Sequence, residues 1–538
     1  MPVLLYYNTQ AVMEVPADAL FVPCAAVVVV TLILYLLPCL AISLLAKTRR
    51  WNTSTIEIEL CQVLAICVSL AWLTFFSLSF CIEINGLCTA FHWRCNVLSA
   101  SSAILPYLFL LALVAALVPI FKRPWLPVVT SLLNQAFTML LLMQLAVTTY
   151  FVSRTELALK PSIQALQQSQ VLSAGSAPRS TIGKRVKPDI YYIILDEMAS
   201  SSVLSRYANY DDSWFRRALE NRGFFVTRNS LSNYPLTRLS ISSSLNMMYL
   251  TKLTSIAERE PADLAPTAVL VRNNAVGSLL RAHGYKHIHI DSSVPPTNGS
   301  DIADRVIHCG FIDQFGDKLL RSTLAALSPQ AMAWLKQHER QTILNQFAAP
   351  ARVAEENCGE DSVFVFSHIL CPHEPFLFDA EGKPVLNEGT RCGSHWSADT
   401  LAAYTAQARF AQRKTLETVD AILLASRKTG RAPVIILQGD HGTHSSDYVS
   451  SANPSPELLH ERYGILNAYL VPADIRAQLK DETQPVNTFR IVLRNLLNLD
   501  LPDLEERQFY ATYENVFDFK DVTVLTRGHR PSALSAAF

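Results

Sequence analysis

The sequence predicts an α-helical bundle of four transmembrane helices followed by an α/β domain with a mainly parallel sheet. Three observations support this. Long charge-free apolar stretches are confined to the first 152 residues, short apolar runs alternate with helical periodicity from about residue 187 onward, and several of those runs end in Asp, Glu or His. The chain has 538 residues, half of them hydrophobic, with 46 basic and 46 acidic side chains. A zero net charge says nothing about partners, and no basic stripe or aromatic platform argues for nucleic acid.

Residues 20–46, 60–82, 97–121 and 125–152 contain no Asp, Glu, Lys or Arg. Each exceeds the roughly 20 apolar residues that span a bilayer. Pro38, Pro106 and Pro119 fall inside or near the ends of these stretches, where membrane helices tolerate them. No Lys or Arg precedes the first stretch, which argues against a cleaved signal peptide. Lys47, Arg49 and Arg50 follow the first span and Lys122 and Arg123 the third, whereas the intervening loop carries only Arg94. The basic loops therefore face the cytoplasm. The N-terminus and everything beyond residue 152 are then expected outside, in a periplasm or other extracytoplasmic space. In an oxidising compartment, Cys88 with Cys95, Cys371 with Cys392 and Cys309 with Cys358 are candidate pairs, with free buried thiols as the alternative.

Residues 153–186 form a joint. Residues 156–172 carry helix formers with an uneven apolar stripe, suited to an amphipathic helix near the headgroups, and a small, polar linker follows. From 187 to 538, candidate strands at Ile190–Leu195, 224–227, 287–290, 362–368 and 434–437 alternate with candidate helices at 214–221, 269–283 and 397–428. This is the pattern of an α/β domain, in which ligands bind beyond the carboxyl ends of the strands.

The chemistry-bearing residues gather at such ends. The first strand closes on Asp196-Glu197; strand alternation sends one carboxylate into the site, and Asp196 is preferred, against a solvated acidic turn. Asn233-Tyr-Pro-Leu-Thr237 leads into a Ser- and Leu-rich helical run. Thr237 is thereby placed at or near a helix N-terminus, where free amides favour an anion, or it serves as a plain N-cap. A third run opens onto Cys371-Pro-His373-Glu-Pro-Phe, where flanking prolines stiffen His373, while His368 reads as a satisfied strand-end histidine. Gln438-Gly-Asp440-His441-Gly442 closes a further strand with a carboxylate and an imidazole, a ligand set for a divalent metal or an ordinary turn. His444 and His460 are further candidates.

In this order, these residues resemble the sulfatase-like hydrolase and transferase branch of the alkaline phosphatase superfamily, which includes lipoteichoic acid synthase and the membrane phosphoethanolamine transferases. The resemblance covers 187–520, including Glu461-Arg-Tyr-Gly-Ile-Leu-Asn467 and Pro485-Val-Asn-Thr-Phe-Arg490. It implies an alkaline-phosphatase-like domain in which Asp196, Thr237, Asp440 and His441 hold one divalent metal, zinc or manganese. Thr237 would attack phosphorus to form a phosphothreonine ester, and His373 would bind the transferred group or protonate a leaving oxygen. The implied protein is a bacterial inner-membrane phosphotransferase with a periplasmic catalytic domain. It would move phosphoethanolamine or phosphoglycerol from a phospholipid donor to a glycan or lipid acceptor.

Two departures bear on this. Phosphoethanolamine transferases have Gly-Glu where this chain has Asp196-Glu197, which keeps Glu197, like His444, in reserve as a site residue. The Cys-x-Pro-x-Arg nucleophile motif of formylglycine sulfatases, or its Ser form, is absent. The alternatives are a phosphodiesterase or phosphatase using water as acceptor, and a non-catalytic envelope assembly protein.

Overall fold

The computed structural model describes residues 187–527 apart from 258–263, 322, 358–360, 386–394, 448, 450 and 451, together with 160–169 and isolated earlier positions. Among the described residues no helix is long and apolar enough to cross a membrane. The four predicted spans, and Cys88 and Cys95, lie outside them, apart from single helical positions such as Leu32, Leu36 and Leu142, whose side chains are exposed. The chain divides into two compact units, one of 1–10, 15–154 and 314–335, the other of 11–14, 155–313 and 336–538. The first contains a helix at Gln314–Arg321, braced by an Arg321–Asp317 ion pair one turn apart, and a 3₁₀ turn at Leu324–Leu327.

The second unit is built on a mixed sheet. Its strands are β1 (Ile190–Leu195), β2 (Phe225–Val226), β3 (Tyr285–Ile290), β4 (Arg305–Ile307), β5 (Ser362–Ile369), β6 (Val434–Gly439) and β7 (Asn467–Leu470), in the spatial order β2-β7-β6-β1-β5-β3-β4. β1 pairs in parallel with β5 and β6, and β3 with β4 and β5. β7 runs antiparallel to β6 and to β2. The helices that concern the site are α1 (Lys160–Gln167), α2 (Ser201–Ala208), α3 (Ser213–Asn221), α4 (Thr237–Asn246), α5 (Ala265–Arg272), α6 (Ala275–Ala282), α7 (Pro329–Glu356), α8 (Ala398–Thr429), α9 (Pro456–Tyr463) and α10 (Pro485–Leu497).

The unbroken apolar run of β1 follows from burial on both faces. Ile190, Tyr192 and Ile194 pack with Leu239 and Leu245 of α4, with α5 and α6, and with Phe489 of α10. Tyr191, Ile193 and Leu195 point the other way, onto Phe215 of α3, Phe347 of α7 and Phe410 and Val419 of α8. By alternation Asp196 belongs to the face on which α4 lies.

The predicted strands and helices are present, with differences that have local causes. The single helix read at 269–283 is two, because Asn274 turns its side chain back to accept the Gly277 N–H (2.7 Å) and caps α6. α8 starts where Ser397 accepts the Thr400 N–H and ends at Gly430, whose φ of +69° suits glycine. In the joint, Ile163 and Leu166 of α1 are buried in the domain core, so the core takes the apolar face that the sequence offers to headgroups. Cys309 and Cys371 are free, buried thiols; Cys358 and Cys392, their proposed partners, lie outside the described residues. Both sulfurs lie in the apolar layer under α7 and α8, and burial raises the Cys309 thiol to about 12.

Candidate active site

Strand register assembles the site. Leu195, the last residue of β1, pairs with Ile369 on one side and Gly439 on the other, so Asp196 and Asp440 leave neighbouring strands at the same level. A side chain on Gly439 would collide with the Met198 carbonyl, and one on Gly442 with those of Glu461 and Gly464, so the turn carrying Asp440 and His441 packs directly on backbone.

Asp440 is fully buried and uses its two oxygens differently. Oδ1 accepts the N–H groups of Glu197 and His441, both at 2.9 Å. Oδ2 has no hydrogen-bond partner and lies 3.2 Å from His441 Nε2. His441 Nδ1 sits 3.1 Å from the Gly442 carbonyl, so it carries the proton and donates. The Nε2 lone pair is therefore left facing Thr237 Oγ1 at 2.9 Å. Thr237 is the first residue of α4, and Leu236 occupies the cap position without a side-chain bond, so the hydroxyl is not spent on capping.

Asp196 completes the group. Its Oδ1 has no hydrogen-bond partner and lies 3.8 Å from His441 Nε2, and its Oδ2 lies 3.4 Å from His368 Nε2, which also has none. Atoms of Asp196, His368 and Asp440 converge within 4.8 Å, all buried. The fit to a cation is good: unpartnered buried carboxylate oxygens and imidazole nitrogens converge, the mixed O/N set that zinc or manganese takes.

The electrostatics agree. Burial, and then the neighbouring Asp196, raise Asp440 to about 7. Asp196 is held below the usual carboxylate range because His373, His368 and His441 together outweigh the opposing effect of burial. Burial and the Arg462 charge push His441 well down, keeping its ring neutral. For His373, burial works downward, but Asp196 and Glu197 outweigh it and raise the ring to about 9. Its Nδ1 donates to the Glu374 carbonyl (2.7 Å) and its N–H to the Asp196 carbonyl (3.1 Å).

The structure thus brings Asp196, Thr237, Asp440 and His441 together with His373 beside them. Glu197 and His444 lie next to this group and bond to each other (2.9 Å). His460 packs instead on the Tyr207 ring. His368, read from sequence as a satisfied histidine, satisfies only one nitrogen, Nδ1 to Thr297 Oγ1 at 2.8 Å. Its position one residue before the end of β5 is the signal that pointed to it. Arg462, buried beside Glu197, was not singled out as a site residue, although it lies in the 461–467 stretch that carries part of the resemblance.

No family model matches the chain, and no curated protein matches it. Solved structures are similar to it. The C-terminal periplasmic domain of EcEptC from Escherichia coli, in complex with zinc, is 12% identical with a TM-score of 0.43, covering 64% of this chain and 95% of its own. The integral membrane lipooligosaccharide phosphoethanolamine transferase A from Neisseria meningitidis is 10% identical with a TM-score of 0.37, covering 89% and 97%. A phosphonate monoester hydrolase from Agrobacterium radiobacter is 12% identical with a TM-score of 0.38, covering 60% and 80%.

Proposed function

We propose that this chain is a divalent-metal-dependent phosphotransferase that moves a phospholipid headgroup, phosphoethanolamine or phosphoglycerol, onto a glycan or lipid acceptor through a phosphothreonine at Thr237. The observation that carries this reading is the Thr237 hydroxyl 2.9 Å from a His441 nitrogen whose lone pair is fixed by the opposite N–H. Asp196, Thr237, Asp440 and His441, with His368 in the same group, would hold zinc or manganese, whose charge would favour an ionised Thr237 oxygen and the phosphoryl oxygens.

With the His441 Nε2 lone pair facing the metal, the Thr237 hydroxyl would give its proton to solvent, and its oxygen would form a bond to phosphorus as the bond from phosphorus to the diacylglycerol oxygen breaks. His373, protonated at neutral pH, donates to that leaving oxygen or holds the transferred group. An acceptor hydroxyl then bonds to phosphorus as the Thr237 ester breaks, restoring the hydroxyl. Transfer is favoured over hydrolysis by the predicted spans, which would hold the site at a high effective concentration of bilayer donor. With the basic loops on the cytoplasmic side, the catalytic domain would face outward, which in a bacterial inner-membrane protein is the periplasm.

The test is to incubate the purified full-length protein with labelled phospholipid, with and without glycan, and to weigh Thr237 by mass spectrometry. A headgroup adduct on Thr237, and diacylglycerol that appears in quantity only with acceptor, are expected. Thr237→Ala should abolish both while the protein stays folded. Unchanged turnover by that variant would sink the nucleophile assignment. Equal turnover without acceptor would make the protein a hydrolase. A lack of bound metal, with no effect of Asp440→Asn, would favour a non-catalytic role.

A further inference from the structure

Glu197 has a φ of +62°, in the left-handed region. Of the four other non-glycine residues at positive φ among those described, Asn209, Met247 and Asn498 end helices α2, α4 and α10, the usual reason for that conformation, and Ser293 lies in the turn after β3 with its N–H on the Asp291 carboxylate. Glu197 caps nothing, is fully buried and directly follows Asp196. Strain of this kind persists where the surroundings over-determine it. Here they do so at every polar group but one. The N–H donates to Asp440 Oδ1 (2.9 Å), and the carbonyl accepts from the Tyr404 hydroxyl (2.9 Å). Oε1 accepts from His444 Nδ1 (2.9 Å) and Arg462 Nη1 (3.2 Å), leaving Oε2 without a partner.

Arg462 extends this network to the nucleophile. It is 1% exposed. Its Nε donates to the Pro235 carbonyl (2.6 Å), two residues before Thr237. Its Nη1 also donates to the Gly442 carbonyl (2.9 Å), the acceptor that fixes the His441 tautomer. One rigid guanidinium thus touches the loops that deliver Thr237 and His441 and the carboxylate that follows Asp196. A buried ion pair is weak grounds for stability, since an apolar pair of similar volume often serves as well. A planar fork of donors, by contrast, fixes position.

We propose that Glu197 and Arg462 are positioning residues: a clamp that sets Thr237 against Asp440 and His441, with Glu197 acting as the clamp's anchor and not as a metal ligand. This rests on the phosphotransferase reading above. The left-handed turn at Glu197 aims its N–H at Asp440 Oδ1, so that Oδ2 is the oxygen turned into the group. Arg462 then holds the Thr237 loop at the matching distance.

The test uses full-length protein in detergent, zinc alone for affinity, and bis(p-nitrophenyl) phosphate for turnover. Arg462→Lys keeps the charge and loses the fork. It should lower kcat about 100-fold, the effect of misplacing a reacting group by about 1 Å, with KM and zinc affinity within about threefold of wild type. Glu197→Gln keeps the packing and should lower kcat at least tenfold with zinc affinity within about threefold, whereas Asp196→Asn should lose zinc affinity. Should Arg462→Lys fail to fold by thermal melting, the Glu197→Gln comparison decides alone. An unchanged kcat in the folded variants, or a loss of zinc affinity in Glu197→Gln equal to that of Asp196→Asn, overturns the clamp while leaving the phosphotransferase reading standing. An inactive wild type overturns both.

Discussion

Replacing Asp440 by Asn should stabilise the chelator-stripped protein and abolish its stabilisation by metal, two shifts of opposite sign from one substitution. Asn keeps the Oδ1 that accepts from Glu197 and His441, and puts an amide where the unpartnered Oδ2 faces the His441 lone pair at 3.2 Å. Burial and Asp196 raise Asp440 from 3.8 to about 7. The folded state therefore binds this proton more tightly than the unfolded state, and stability from this group falls as pH rises from about 4 to about 7. At pH 8, where the folded wild type must hold the charge beside Asp196, the neutral variant is the more stable by an amount on the order of a few kcal/mol. For residues 187–538, roughly 350 residues at about 2.1 cal/mol/K each, that is on the order of a few °C in melting temperature. Zinc at a hundredfold excess over its dissociation constant adds about 2.7 kcal/mol to the wild type and should add nothing to the variant. Thermal melts in EDTA and in zinc, between pH 5 and 8, read both effects. A variant that melts below wild type in EDTA at pH 8, or that still gains from zinc, refutes the shared-charge account of the site.

Other consequences follow from the shell around it. Glu461 is fully buried and accepts from the Thr443 hydroxyl and from the N–H and hydroxyl groups of Ser445 and Ser446, so Glu461→Gln forces an amide against at least one of those N–H donors. The expected cost is about 3 kcal/mol by denaturant unfolding, from one orphaned donor and several weakened charge-assisted bonds; a loss below about 1 kcal/mol would contradict it. Gly442→Ala drives a methyl into two backbone carbonyls, so zinc affinity should fall with stability, and unaltered zinc binding in a folded variant would show that the turn has room. Burial lowers His287 to about 3 and His289 to about 4. The unfolded chain then takes up these protons first, and stability drops as pH falls below about 6.5, by ~2 kcal/mol per ring at pH 5. His287 has no hydrogen bond on either ring nitrogen and packs on Phe364, so His287→Phe should flatten the acid limb of the stability curve; parallel curves for variant and wild type would exclude this source.

What was legible in the sequence was whatever local pattern dictates. β1 ran from Ile190 to Leu195 as its apolar run suggested, because a strand buried on both faces needs an unbroken run. Asp196, Asp440 and His441, which the structure brings together, stood out because such runs stop at the carboxyl ends of the strands. β4 and β7 escaped notice: Arg-Val-Ile and Asn-Ala-Tyr-Leu are too short for a period, and β7 is held by its antiparallel partners. His368 was misjudged because its environment is non-local. Thr297, 71 residues away, satisfies one nitrogen, and the other faces a carboxylate on the neighbouring strand. Arg462 reaches Pro235 across 227 residues, a contact no spacing rule encodes.

The adjacent carboxylates 196 and 197 show how one local decision divides two roles. On an extended chain, alternation would send one inward and the other toward solvent or the opposite layer. The positive φ at Glu197 breaks that alternation and keeps both buried, in different surroundings. Asp196 remains on the face of α4 with an unpartnered oxygen among imidazoles, whereas burial at Glu197 is outweighed by His444, His373 and Arg462, which hold its carboxyl at about 2. Glu197 Oε1 is already bonded to a guanidinium and an imidazole, and its unpartnered Oε2 is not among the converging atoms, which come from Asp196, His368 and Asp440. If the proposed clamp holds, the choice between the two acids is made by Arg462 and His444, on the helix and loop that follow β6, and not at the end of β1 where the acids sit.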